Sequence, residues 1–366
     1  MAKVLMSLSF LTLLVFVLTS CSRLLRPTAG ITKKQKQNRS VNQGSQVNND
    51  SAITKEYGKK NTYNAASAFN GTLLSNITYT NAVNYKGVQQ QLTIDVYKPA
   101  DAEGKKFPAI FLMHGGSFTG GDKANLASTC SKLANNGYVV ISVNYRLGWG
   151  FVSRANTSCN DTTRLKEAIY RSVQDVHSAM HYIAAHADDY SVDKDWMFVG
   201  GQSAGAITAL ITAYLKEKDA EGFFPGCSQK LGPLDKAAND TNAGYTLKGV
   251  ISMWGAFIDP ALITDQTALP TIFFQGERDR AVPFNSGAFA PCSSATVVYG
   301  TNPLYNRLKA LGETSIAHVD PQGGHGVFDE DFRISNILCF LNDVRQGIKK
   351  QVYLTGMQYS CDNNQR

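Results

Sequence analysis

Short apolar runs alternate along the chain with longer stretches of helical periodicity. The apolar runs, which suit strands buried on both faces, are Ala109–Met113, Val139–Val143, Met197–Val199, Val250–Met253, Thr271–Phe274 and Ile316–Val319, preceded by candidate strands at Ile77–Thr80 and Gln91–Tyr97. The helical patterns are Ala124–Asn135, Arg164–His186, Ala204–Lys216, Leu304–Leu311 and Asp329–Arg345. This alternation predicts an α/β fold with a mostly parallel central sheet flanked by helices.

The N-terminus has a different pattern. Lys3 precedes an apolar run, Val4–Leu18, which is too short to cross a bilayer, since a spanning helix needs about 20 apolar residues. Leu18-Thr19-Ser20-Cys21 follows and resembles a bacterial lipobox, in which the cysteine becomes the lipidated first residue of the mature protein. Residues 1–21 therefore predict a lipoprotein-type signal peptide. An ordinary cleaved signal with an incidental cysteine is the alternative.

Residues 22–64 are rich in Lys, Gln, Asn, Ser and Thr and predict a flexible polar tether, because they offer too little apolar surface to fold. Ten Lys or Arg residues lie up to residue 64, against Asp50 and Glu56, so the formal net charge of +7 arises before the folded part. The remaining residues, 65–366, form one predicted domain with no basic surface for nucleic acid.

Six cysteines remain once Cys21 is set aside. They are Cys130, Cys159, Cys227, Cys292, Cys339 and Cys361. An even number in an exported chain suggests disulfides, with fifteen possible pairings. No Cys or His cluster has zinc spacing, and no motif calls for a cofactor.

The pattern Gly201-Gln202-Ser203-Ala204-Gly205 follows an apolar run and precedes a small-residue helical stretch. A serine hydroxyl needs a tight turn and a neighbouring base to act as a nucleophile, and flanking glycines allow such a turn. The pattern alone is weak, so its significance depends on partners at the ends of the other strands.

A glycine-rich segment, His114-Gly115-Gly116-Ser117-Phe118, directly follows the run Ala109–Met113. Backbone N–H groups at such a strand end can stabilise an oxyanion. Alone, the segment reads as an ordinary turn.

Two aspartates are candidates for the acid. Asp279 follows the run Thr271–Phe274 on the turn Gln275-Gly276-Glu277-Arg278-Asp279, where a carboxylate can fix a histidine tautomer. Asp259 follows the preceding strand, but Asp259-Pro260 also fits a helix start. Position favours Asp279.

The candidate base is His325, which lies between glycines after the last predicted strand, in Gln322-Gly323-Gly324-His325-Gly326. Of the other histidines, His177, His181 and His186 share a helix, His318 lies in a strand and His114 belongs to the glycine-rich segment. A lone histidine is more often structural, but only His325 has the order and setting of a base.

The order Ser203, Asp279, His325 resembles that of the α/β-hydrolase superfamily. More narrowly, the chain resembles bacterial carboxylesterases and feruloyl-esterase-like enzymes related to the hormone-sensitive-lipase group. The likeness covers most of the folded region. Its motifs are Leu92–Tyr97, HGGSF, Val143–Leu147, GQSAG, GERD and GGHG.

The resemblance implies a serine esterase domain over residues 65–366, with Ser203, Asp279 and His325 as the triad and Gly115, Gly116 and Ala204 as oxyanion donors. Two residues depart from the pattern. Ser117 replaces a common third glycine, which affects the donor set, and Ala206 replaces a second glycine after the elbow, which affects helix packing.

Function follows as an expectation: an exported carboxylesterase, anchored to a membrane through Cys21, acting on small or polymer-linked esters. The alternatives are a feruloyl or acetyl esterase acting on acylated polysaccharide, a lipase, a peptidase or a non-catalytic binding protein. Lys218–Tyr245 is longer than a connection needs and predicts a small cap over the cleft. Trp254 fits either the substrate pocket or the core.

Overall fold

The computed structural model describes residues 68–150, 162–235, 243–289 and 296–361. The predicted signal peptide, Cys21 and the predicted tether lie outside these ranges. Within the described residues, every helix is too short or too polar to cross a membrane.

Buried apolar runs form the centre of the sheet, as their sequence predicts. The strands are β1 (Thr72–Val83), β2 (Gln89–Lys98), β3 (Phe107–Met113), β4 (Val139–Val143), β5 (Val192–Gln202), β6 (Leu247–Met253), β7 (Thr271–Gly276), β8 (Ser286–Ala288), β9 (Val297–Tyr299), β10 (Ser315–Asp320) and β11 (Gln351–Thr355). In the described part of the chain, nine of them form one sheet in the order β1-β2-β4-β3-β5-β6-β7-β10-β11. Only β1 with β2 and β2 with β4 pair antiparallel in this sheet.

Helices cover both faces of the sheet. They are α1 (Ala127–Ala134), α2 (Thr162–Ala185), α3 (Ala204–Tyr214), α4 (Glu217–Phe223), α5 (Cys227–Leu231), α6 (Thr301–Ala310) and α7 (Glu330–Arg345). Residues of α2, α3 and α6 share one hydrophobic cluster, and residues of α1 and α7 share the other. Successive residues of β3 alternate between the two clusters, because neighbouring side chains of a strand point to opposite faces. The predicted α/β-hydrolase architecture is confirmed.

Part of the segment predicted to cap the cleft packs against α2. Tyr170 Oη on α2 donates a hydrogen bond to the Gly232 carbonyl (2.8 Å), and His177 Nδ1 on the same helix lies 2.9 Å from Tyr245 Oη. The described residues of Lys218–Tyr245 thus pack against α2, and none of them is hydrogen-bonded to Ser203, Asp279 or His325. The cap over the cleft stays a prediction.

The cysteines do not form a uniform disulfide framework. Cys339 on α7 is bonded to Cys361, which fixes the residues after β11 to that helix. Cys130 and Cys227 are buried free thiols. Cys159 and Cys292 lie outside the described residues, and the suggestion of a wider set of disulfides stays a prediction.

Candidate active site

Ser203 lies on a strained turn between the end of β5 and the start of α3. Its φ of 54° is in the left-handed region, where a residue with a side chain is uncommon. Its N–H donates a hydrogen bond to the Met253 carbonyl at the end of β6 (2.9 Å). The turn therefore projects the hydroxyl beyond the carboxyl end of the sheet.

The glycines around Ser203 are required by close backbone contacts. A Cβ at Gly201 would lie 2.5 Å from the Gly205 carbonyl carbon, and one at Gly205 would lie 2.2 Å from the Met113 oxygen. Ala206 is accommodated where related sequences often carry glycine, because the residue facing it is Gly255, whose added Cβ would lie 2.5 Å from Ala206 Cβ. This departure from the family pattern thus concerns helix packing alone.

The structure brings the three predicted triad residues into one hydrogen-bonded series. His325, on the loop after β10, has Nε2 2.9 Å from Ser203 Oγ and Nδ1 2.8 Å from Asp279 Oδ2. An ionised carboxylate can only accept, so Nδ1 donates to Asp279 and Nε2 is left to accept the serine proton. This is the arrangement required to activate a serine hydroxyl.

Asp279 is held as an anion by its surroundings. Its Oδ1 accepts hydrogen bonds from the N–H groups of Ala281 (2.8 Å) and Val282 (3.0 Å), and its side chain is inaccessible to solvent. Burial opposes ionisation, but the hydrogen bonds from His325 and from these N–H groups lower the pKa of Asp279 below its ordinary value.

The rival aspartate has another role. Asp259 accepts a hydrogen bond from the Ala261 N–H (2.8 Å) and caps the short 3₁₀ helix Pro260–Leu262. This is the helix start that Asp259-Pro260 suggests in the sequence.

The loops that carry the acid and the histidine are joined through their backbones. The Glu277 N–H donates to the Asp320 carbonyl (3.0 Å), and the Arg278 N–H donates to the Gly323 carbonyl (2.9 Å). Because the contact is backbone to backbone, the separation of Asp279 and His325 does not depend on flexible side chains.

The predicted oxyanion donors flank Ser203. Ala204 is the first residue of α3, so its N–H has no acceptor within the helix. A Cβ at Gly115 would lie 3.3 Å from Ser203 Cβ, which places that backbone directly against the nucleophile. Gly116 follows with a φ of 118°, and Ser117 adopts 54°, a conformation that glycine would adopt without strain. The donor role of Gly115, Gly116 and Ala204 stays a prediction.

The glycine-rich loop rests on an aromatic support. The His114 ring stacks on Tyr145 with centroids 4.5 Å apart, and Tyr145 Oη donates to the His114 carbonyl (2.8 Å). Burial lowers the pKa of His114 and keeps its imidazole neutral. Tyr145 is thus a buried support of this loop.

Asp175 on α2 has a structural role. It pairs with Arg146 (2.7 Å) after β4, and both side chains are almost fully buried. Arg171 pairs instead with Glu167 (2.8 Å) along the same helix.

Among the described residues, no group of three or more His, Cys, Asp or Glu side chains is arranged to hold a metal ion.

Residues 94–257 match the family model described as BD-FAE. Among curated proteins, the chain is 24% identical over 185 residues to the cAMP-regulated D2 protein of Dictyostelium discoideum, which covers 47% of this chain and 32% of that protein. It is 32% identical over 137 residues to para-nitrobenzyl esterase of Bacillus subtilis (strain 168), which covers 36% of this chain and 26% of that enzyme. The chain thus spans about a third or less of the length of these relatives.

Solved structures match over a larger part of the chain. Thermogutta terrifontis esterase 2, phosphorylated by paraoxon, aligns with a TM-score of 0.53 at 20% identity and covers 77% of this chain and 96% of that one. Its apo form aligns with a TM-score of 0.53 at 18% identity and covers 78% of this chain and 98% of that one. The sheet order, the serine turn and these alignments show that the chain has the α/β-hydrolase fold, and the proteins that it resembles include esterases.

Proposed function

We propose that the protein is a serine-dependent carboxylic ester hydrolase that works through an acyl-enzyme on Ser203. The observation that carries this proposal is the hydrogen-bonded series from Ser203 Oγ through His325 to Asp279. The series lies at the carboxyl ends of β5, β7 and β10, where ligands of open parallel sheets bind.

In the acylation step, Ser203 Oγ attacks the ester carbonyl carbon while His325 Nε2 accepts the hydroxyl proton. The negative charge that develops on the carbonyl oxygen is stabilised by the N–H of Ala204 and by N–H groups of the Gly115-Gly116 loop. Asp279 stabilises the imidazolium. As the tetrahedral intermediate collapses, the ester C–O bond breaks and His325 gives its proton to the departing alcohol.

In the deacylation step, the same groups act on water. His325 removes a proton from a water molecule, which attacks the acyl carbon of the Ser203 ester. The second tetrahedral intermediate releases the carboxylic acid, and His325 returns the proton to Ser203 Oγ. The free enzyme is regenerated without any further reactant.

Replacing the nucleophile tests the mechanism. Ser203→Ala is expected to lower kcat for p-nitrophenyl acetate by roughly 10⁶-fold, because no acyl-enzyme can form. Ser131→Ala, on the opposite helix layer, is the matched control, since Ser131 Oγ only donates to a carbonyl of its own helix. Near-native turnover by Ser203→Ala would exclude this mechanism.

Covalent labelling distinguishes the enzyme from a binding protein with the same fold. Esterase 2 of Thermogutta terrifontis is phosphorylated by paraoxon and has been solved with propionate bound. We expect a fluorophosphonate probe to label this protein at Ser203 and to leave Ser203→Ala unlabelled. A panel of acetyl, butyryl, lauroyl and feruloyl esters then separates a short-chain carboxylesterase from a lipase and from a feruloyl esterase.

We also propose that the protein is exported and held at a bacterial membrane by a lipid on Cys21. The lipobox-like Leu18-Thr19-Ser20-Cys21 and the polar residues 22–64 support this. Palmitate should label the wild type and should not label Cys21→Ser. A soluble, unlabelled wild-type product would contradict the proposal.

A further inference from the structure

Arg333, on the first turns of α7, holds the chain just after the candidate base. Its Nη1 donates hydrogen bonds to the carbonyls of Val327 (3.3 Å) and Phe328. Phe328 has a φ of 62°, which is unfavourable for a residue with a side chain unless its surroundings fix it.

The same guanidinium also contacts an aromatic side chain beside His325. Arg333 Cζ lies 5.2 Å from the ring centroid of Trp254, within the range of a cation–π contact. The Trp254 ring in turn meets the His325 imidazole in a T-shaped contact, with centroids 6.2 Å apart and planes inclined by 68°. Trp254 thus has a charged group and the candidate base as neighbours.

Trp254 is itself rigidly placed. It follows β6 with a φ of 45°, it is 7% exposed, and its N–H donates to the Phe274 carbonyl at the end of β7 (2.6 Å). Arg333 is half-buried, and this burial lowers the pKa of its guanidinium. A desolvated cation interacts more strongly with an aromatic ring than an exposed one.

We propose that Arg333 and Trp254 form a positioning pair for His325. Arg333 fixes the turn that follows the histidine, and the Trp254 ring limits the rotation of the imidazole. The imidazole therefore stays aligned between Ser203 Oγ and Asp279 Oδ2. Neither residue touches the reacting atoms, so the pair acts only through His325. The proposal rests on the ester hydrolase function proposed above.

The reason for such a pair lies in how the histidine is attached. His325 has glycine on both sides, its side chain is 31% exposed, and its two hydrogen bonds depend on one rotamer. An error of about 1 Å in the position of a catalytic group can lower the rate by roughly 100-fold. A loop built from glycines does not provide that accuracy by itself.

Kinetics of substituted enzymes test the pair. We expect Arg333→Met to lower kcat for p-nitrophenyl acetate by roughly 10- to 100-fold, with KM changed less than about twofold, because substrate contacts stay in place. Arg333→Lys keeps the charge but loses the planar stack and is expected to fall between the wild type and Arg333→Met. Arg345→Met is the matched control, since Arg345 is an exposed residue at the end of the same helix.

The tryptophan is tested in parallel. Trp254→Phe keeps an aromatic ring beside His325 and is expected to retain most of the activity. Trp254→Leu should lower kcat by as much as Arg333→Met does. Because the two residues act as one unit, the double variant Arg333→Met/Trp254→Leu should be no slower than the slower single variant. If Arg333→Met does not fold, as judged by circular dichroism, the kcat values of Trp254→Phe and Trp254→Leu are compared instead. Equal kcat values for these two variants would contradict the positioning proposal.

A second measurement does not depend on turnover. The His325 Nδ1–H proton, hydrogen-bonded to Asp279, should give a downfield NMR signal that broadens in Arg333→Met and persists in Arg345→Met. Equal kcat values and equal NMR signals for these two variants would overturn the positioning proposal. A wild type with the NMR signal but without ester turnover would contradict the proposed function and leave the pair supported.

Discussion

At the scale of single residues, Asp279 and Asp259 illustrate how two similar sequence signals differ in the folded protein. Both follow buried strands, and both accept backbone hydrogen bonds. Only Asp279 places its second oxygen beside the imidazole: Oδ1 accepts from the local N–H groups, and Oδ2 lies 2.8 Å from His325 Nδ1. The position of Oδ2 therefore identifies Asp279 as the acid of the triad.

Asp279→Asn is expected to lower kcat for p-nitrophenyl acetate by roughly 10⁴-fold. An asparagine amide can donate to Nδ1, which moves the proton of His325 to Nε2 and removes the acceptor for the serine proton. The control is Asp259→Asn, which should leave kcat unchanged, since it alters only a helix cap. Comparable losses in the two variants would contradict the assignment of the acid.

The oxyanion loop could be located from its glycines, but its support could not. Gly115 and Gly116 follow a buried strand, which is a readable signal. The stack of His114 on Tyr145 joins residues 31 positions apart, and no local pattern indicates it. The contacts of Arg333 were also missed. An arginine on the first turns of a helix is normally interpreted as a solvent-exposed residue.

At the scale of helices and strands, the predictions succeeded where burial is complete. The runs that became β3, β4 and β7 are apolar because both faces of the sheet are covered. The edge strand β11 was missed, since Gln351, Tyr353 and Thr355 are exposed and no apolar run marks the strand. The contacts of Lys218–Tyr245 with α2 could not be predicted, because the length of a connection does not indicate which surface it covers.

Contact between α3 and β3 makes Gly205 a sensitive position. Gly205→Ala would place a Cβ 2.2 Å from the Met113 carbonyl and 2.6 Å from that of His114, so the helix must move away from the strand. We expect a loss of several °C in Tm together with a loss of esterase activity, because Ser203 directly precedes this helix. Thermal unfolding and turnover of p-nitrophenyl acetate measure the two effects.

Gly222→Ala on α4 is the matched control. A Cβ there meets nothing within 4 Å, and alanine is the better helix former by about 1 kcal/mol. Its Tm should be unchanged or higher. A Gly205→Ala variant as stable and active as Gly222→Ala would show that this contact is not required.

At the scale of the whole molecule, two buried histidines contribute to the response to acid. Burial lowers the pKa of His318 in β10 to about 3 and that of His177 in α2 to about 4, from an ordinary value of 6.5. Between these values and pH 6.5, the unfolded chain binds protons that the folded protein does not. The stability that the neutral rings provide is complete above pH 6.5 and is lost as the pH falls.

The variant His318→Phe tests this dependence. Phenylalanine can keep the stack on Phe274, whose centroid lies 5.0 Å from the His318 ring, and it has no proton to gain. Its Tm at pH 4 should exceed that of the wild type by roughly 5 °C, with a smaller difference at pH 7. His186→Phe, at an exposed histidine, should show the same pH dependence as the wild type.

The three triad residues could be predicted from their order along the chain, because the carboxyl ends of parallel strands lie at one edge of the sheet. The sequence does not indicate how the loops that carry the nucleophile, the acid and the base are held at fixed positions relative to one another. That depends on backbone contacts, which have no residue signature.

Those contacts continue the ladder of the sheet beyond its strands. The N–H of Ser203 bonds to the end of β6, that of Trp254 to the end of β7, and that of Glu277 to the end of β10. Each bond is one further rung between neighbouring strands. These three amides should therefore exchange with deuterium as slowly as those of the central strands, and the site should come apart only when the sheet itself unfolds. Heat would then abolish catalysis and melt the sheet in a single event.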